Sequence, residues 1–137
     1  MTYPRPSGAR SMEARAPQIN ADGAILDKLG LTREIIARRI RLFRAAAETG
    51  LGQEVPVAPH FEALMDDARG RLPCPFGDAC AFAKRNTTIR NLATGESVVV
   101  SDLALHLIED HGCFGDPGSP FRLDPQALAR ILETARP

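Results

Sequence analysis

At 137 residues with a formal net charge of zero, the chain is one domain, or one domain with tails, and has no global field to steer it to nucleic acid or membrane. Six Phe, one Tyr and no Trp leave a modest core with little aromatic area, and such a core gains from a metal staple. No segment approaches the roughly 20 apolar residues of a membrane helix, and the opening Met-Thr-Tyr-Pro-Arg-Pro has no apolar run, so a cytoplasmic protein without a secretory signal is expected.

Charge is also spread evenly. Residues 1–72 carry eleven Lys/Arg against nine Asp/Glu, and residues 73–137 carry six against eight. The three cysteines are an odd count, and in the cytosol they are expected to be ligands or buried thiols.

Residues 1–20 contain Pro4, Pro6, Gly8 and Pro17 with Arg5, Arg10 and Arg15 and lack apolar periodicity, which predicts a flexible basic arm. Asp22-Gly23 opens a short helix over 24–29, stopped by Gly30. Thr32 is placed to cap a longer helix over 33–48, with Gly50 just beyond it. Ile36, Ile40, Phe43 and Ala47 form its apolar stripe. Segment 33–44 carries five arginines, Arg33, Arg38, Arg39, Arg41 and Arg44, against Glu34 alone. This face is a candidate interaction surface for an acidic protein groove or for phosphate, and its plainer reading is a solvated face paired with the protein's own acids.

The stretch Leu29-Gly-Leu-Thr-Arg-Glu-Ile-Ile-Ala-Arg-Arg-Ile40 resembles the turn and recognition helix of bacterial helix-turn-helix regulators. Gly30 takes the turn position, Thr32 the cap and Ile36 the inward apolar position. The resemblance covers residues 24–45 and implies DNA binding.

Residues 51–59, with Gly52, Pro56 and Pro59, form a connector. Residues 60–69 fit two patterns. Phe61, Leu64, Met65 and Ala68 suit a helix between Pro59 and Gly70, whereas Phe61, Ala63 and Met65 suit a strand. The helix is the preferred expectation, and His60 reads as a surface residue. Thr87, Thr88, Ile89 and the run Ser97-Val-Val-Val100, separated by the turn signal Asn91-Leu-Ala-Thr-Gly95, predict a hairpin with strands near 84–91 and 96–100. Ser101 or Asp102 then caps a helix over 103–110 that Gly112 ends. Asp124-Pro125 starts a last helix, 124–135, whose apolar face is Leu128, Ile131 and Leu132.

Chemistry concentrates between Pro73 and Gly115. Cys74 and Cys80 flank the turn Cys74-Pro-Phe-Gly-Asp-Ala-Cys80, and His106-Leu-Ile-Glu-Asp-His111 closes the helix. Two Cys on a turn and two His at a helix end suit the tetrahedral, borderline-soft preference of Zn2+. Cys74, Cys80, His106 and His111 are therefore the expected ligands, with Cys113 as an alternative fourth. The order of cysteine pair, hairpin and helix with a histidine pair resembles the ββα zinc finger over residues 74–111. That resemblance implies metal-dependent folding and binding to nucleic acid or protein. The cysteine loop and the span between the pairs are enlarged, and Asp102, Glu109 and Asp110 make the helix acidic, so the family's base-reading positions do not transfer.

The expected fold is α+β: a small single domain with helices around a β-hairpin and helix zinc module. A helical part (21–70), the zinc module (72–116) and the C-terminal helix (124–135) follow the arm within the unit 21–137. The expected function is a structural zinc site in an interaction module or accessory subunit with a protein partner. A DNA-binding regulator using 24–45 and a small zinc hydrolase with Glu109 as base are the alternatives.

Overall fold

The computed structural model describes residues 8–78 and 80–134, with side chains from residue 14 onward. The fold is mixed α+β, with four helices and a four-stranded antiparallel sheet of order β1-β2-β3-β4 among the described residues. None of these helices is long and apolar enough to cross a membrane.

Helix α1 spans Gly8–Leu29 and α2 spans Arg33–Glu48. Thr32 caps α2 as expected, accepting the amide of Ile35 at its hydroxyl. Ile36, Ala37, Ile40, Phe43 and Ala47 are buried. Strand β1 (Val55–Val57) lies within the expected connector and pairs with the start of β2 (Phe61–Pro73). Strand β3 (Ala81–Asn91) pairs along β2 and, through 86–90, with β4 (Ser97–Ser101). Helix α3 (Asp102–His111) follows, capped by Ser101, and α4 (Pro125–Ile131) is capped by Asp124. The predicted hairpin and the helix after it thus form close to their expected bounds, whereas the last helix is shorter than 124–135.

The core lies under one sheet face. Phe61, Ala63 and Met65 of β2 and Thr87, Ile89 and Asn91 of β3 are buried, alternating with more exposed neighbours as a half-covered antiparallel strand requires. Phe43 of α2 meets Phe61 edge-on at 4.9 Å between ring centroids. Asn91 donates to the carbonyl of Ile131 and to Glu133, and its side-chain oxygen accepts the amides of Ala93 and Thr94, so one buried side chain holds both the β3–β4 turn and the end of α4. His60, a partly exposed residue, bonds Glu133.

Two expectations are corrected. The segment expected as helix over 60–69 is strand from Phe61 onward, with His60 in the preceding turn: the alternation of Phe61, Ala63 and Met65 prevails because β1 and β3 supply pairing partners that the local pattern does not contain. Gly70, at φ +101°, sits in a bulge between Ala68 and Arg71 instead of ending a helix. The arm expected over residues 1–20 is helical from Gly8, and its first seven residues lie outside the described ones. Helix α1 is weakly amphipathic in sequence, and discrete anchors hold it. Arg15 pairs with Asp116, and Asp22, 1% exposed, receives both guanidinium nitrogens of Arg122 at 2.8 and 3.0 Å.

Breaking a buried pair strands a charge, so Asp22→Ala is expected to destabilise the protein by about 3 kcal/mol. Urea denaturation checks this, and a loss below about 1 kcal/mol, the level of an exposed pair, would contradict it.

Candidate metal centre

The ribbon of β2 and β3 runs on past the ends of β1 and β4, and the chain turns back between Pro73 and Ala81. Cys74 follows β2 directly, and the amide of Gly77 donates to its carbonyl, closing a tight turn. Gly77 adopts φ +89°, a conformation open to glycine at little cost, and the turn carries Asp78 toward α3. On the other side, α3 presents His106 in its body and His111 at its last residue. Gly112, at φ +66°, ends the helix in a left-handed cap, with its amide on the carbonyl of Ile108 and that of Cys113 on Leu107.

These elements bring together Cys74, Asp78, His106 and His111, whose ligand atoms all lie within 4.8 Å of one another. Cys74 Sγ is 3.6 Å from His111 Nε2. One Asp78 oxygen, Oδ2, is 2.7 Å from His106 Nε2 and 2.8 Å from His111 Nε2. A tetrahedral zinc with bonds of about 2.3 Å to sulfur and about 2.0 Å to nitrogen and oxygen separates S from N by about 3.6 Å and N from O by about 3.3 Å. The sulfur–nitrogen edge already has that length. The Asp78 edges are shorter, at hydrogen-bond length, so an ion seated here moves the carboxylate outward by about half an ångström.

The surroundings orient the donors. His106 Nδ1 lies 2.9 Å from Asp110 Oδ2, which leaves Nε2 for the cluster, the arrangement that commonly backs a metal-bound imidazole. Phe76 stacks on His111 at 4.4 Å and Phe82 lies against His106 at 4.5 Å. Bonds from His111 and then His106 hold Asp78 below the ordinary carboxylate range, and burial pushes the Cys74 thiol up.

Three of the four expected ligands, Cys74, His106 and His111, therefore meet. Cys80 is exposed and lies outside the group, and Asp78 stands where it was expected. The reason is the turn itself: Gly77 brings the residue after it to the imidazoles, while Cys80 already leads into β3. Cys113, the alternative ligand, is buried with Cys74 and Phe76 against Ile19, Leu103 and Leu107, where it packs as an apolar side chain. Asp78 and Asp110 were the residues missed. Asp78 was legible as a carboxylate inside the cysteine turn, and Asp110 as a partner four residues after His106 on the same helix face.

The arginine face is largely spoken for. Arg41 pairs with Glu109, and Arg44 holds Asp102 at 2.9 and 3.0 Å and also reaches Glu48. Arg39 donates to the carbonyl of Leu132 and lies over the rings of Phe43 and Phe61. Arg33 is near Glu34 at 3.7 Å, and Arg38 is exposed with no ion pair among the described residues. Glu109, the candidate base, is held below its ordinary range chiefly by its bond to Arg41 and is not one of the grouped donors. Arg44→Ala is expected to cost about 1–2 kcal/mol, because it leaves a largely buried carboxylate without its charged partner. Arg38→Ala is expected to stay within about 0.5 kcal/mol. Equal losses in thermal denaturation would contradict this division of the helix into a folding side and a free side.

No protein-family model, curated protein or solved structure matches the chain significantly.

Proposed function

We propose that the chain binds one zinc ion through Cys74, Asp78, His106 and His111, and that the ion serves as a structural tie in an interaction module or accessory subunit. The observation that supports this most is the convergence of four donor atoms within 4.8 Å from two separate segments, with the His106 ring set by Asp110. One thiolate, two imidazoles and one carboxylate form a donor set suited to zinc and poor for magnesium or calcium, which take oxygen. The ion joins the ribbon tip to the end of α3 and thereby closes a loop of the chain. A structural role is favoured by the low exposure of three of the four side chains: Cys74 is 5% exposed, and the His106 and His111 side chains 10% and 15%.

The DNA-binding alternative has less support, since Arg39, Arg41 and Arg44 of α2 are engaged within the protein. The hydrolase alternative loses its proposed base to Arg41. For an interaction role, Arg38 is exposed without an ion pair among the described residues, and the outer ribbon is exposed although Arg85 pairs with Asp67 on it.

Calorimetric titration of the metal-free full chain with zinc is expected to give one site per chain. Cys74→Ser and His106→Ala should abolish it, Asp110→Ala should weaken it about tenfold by freeing the ring, and Cys80→Ser should leave it unchanged. Loss of binding in Cys80→Ser with retention in Cys74→Ser would overturn the ligand set.

Ligation needs thiolate and neutral imidazole, so protons compete with the metal. Zinc affinity should fall as pH falls, and titrations in buffers of different ionisation heat should show proton release. Hydrogen exchange should then report protection gained on zinc binding over 72–82 and the last turns of α3, with the core of β2, β3 and α2 unaltered. Equal exchange with and without bound zinc would remove the structural role.

A further inference from the structure

The four grouped donors differ in how they are held. Cys74 is packed between Phe76 and Cys113, His106 is fixed by Asp110 and Phe82, and His111 is stacked on Phe76. Asp78 has none of these supports. Its side chain is 35% exposed, it follows the left-handed Gly77, and its contacts within the site run to the other ligands through one oxygen. Its distances to the two imidazoles are also those that must lengthen when an ion enters. Three donors form a preset, largely covered tripod, with Cys74 buried and both imidazoles partly so, and the fourth is a hard carboxylate on the solvent side.

We propose that Asp78 is an exchangeable ligand, and that the coordination position it covers accepts a small monoanionic donor from solution, with a thiolate the best suited. This rests on the metal-binding reading above. Zinc with three protein ligands and one exchangeable position is the arrangement that lets an outside molecule reach the ion. A thiolate is a softer partner for zinc than a carboxylate. In the exchange, the incoming thiol gives its proton to solvent, a metal–sulfur bond forms, the metal–Asp78 bond breaks, and no oxidant or reductant takes part. The chain has its own candidate for the same position, since Cys80 is exposed two residues beyond Asp78. External and internal thiolates share one chemistry and are separable by experiment.

The test uses the full chain reconstituted with Co2+, whose absorption reports sulfur ligands, and 2-mercaptoethanol as probe. In the Cys80→Ser protein, added 2-mercaptoethanol should saturably strengthen the sulfur-to-cobalt band. Removing the tethered competitor in Asp78→Ala, Cys80→Ser should tighten that binding at least tenfold, since a tethered group competes at an effective concentration in the millimolar range. Asp78→Asn, closer in shape, should behave likewise if the alanine variant folds poorly. In Asp78→Ala with Cys80 intact, a second sulfur band without added thiol identifies Cys80 as an internal occupant and also supports exchange. Cobalt bound at one site with a spectrum indifferent to thiol in all these proteins overturns the exchange proposal alone. Failure of cobalt and zinc to bind overturns both readings.

Discussion

One carboxylate oxygen on a short turn lies within hydrogen-bond reach of two imidazoles on a helix, and the order of the outer ribbon rests on that junction. Asp78 lies 28 residues from His106 and 33 from His111 along the chain. Between them run β3, the turn built on Asn91, β4 and most of α3. Without the junction, the distal ribbon would be two exposed strands with a small apolar cluster at the end, and an isolated two-stranded ribbon is marginal in water. The other sheet end has no such need, because α2 and α3 cover it and Phe43, Phe61, Ile89 and Ile108 are fully buried.

The junction also bears on the N-terminal helix. Ile19 packs on the cluster of Cys74, Phe76 and Cys113, Arg15 lies over Phe76 at 5.5 Å, and Phe76 stacks on His111. Helix α1 therefore rests partly on side chains that orient the site and partly on the Asp22–Arg122 pair. Its low amphipathicity explains why its own residues give little sign of it. Tertiary contacts from the 113–122 segment set it in place, and a Pro-containing, Arg-rich stretch offers no stripe to announce them.

What was legible followed local rules. Thr32, Ser101 and Asp124 cap their helices, Gly112 stops α3, and the Asn91–Gly95 turn joins two strands, because each of these acts within four or five residues. The strand at Phe61 was not settled locally, since apolar residues there suit both periods and the deciding partners lie some 25 residues away in β3. The site was legible to the level of its segments. Two cysteines invite pairing as ligands, but the reach of the turn between them depends on its backbone angles, and left-handed Gly77 brings Asp78 rather than Cys80 to the imidazoles. The arginines illustrate the same limit: a run of like charge is visible at once, whereas the carboxylates that neutralise it come from α3.

The ribbon has a consequence for the protein's behaviour at high concentration. Beyond Ala63 on the outer side of β2, and before Asn86 on the outer side of β3, no ladder continues among the described residues, which leaves two strand edges with peptide groups turned to solvent. Such edges invite pairing between copies of a chain. Here the Ala68–Arg71 bulge breaks the flatness of one edge, Pro73 removes an amide from it, and Asp66, Asp67, Arg69, Arg71 and Lys84 load the strands with charge. The same irregular residues that carry the chain out to the turn thus oppose the addition of strands by neighbouring molecules.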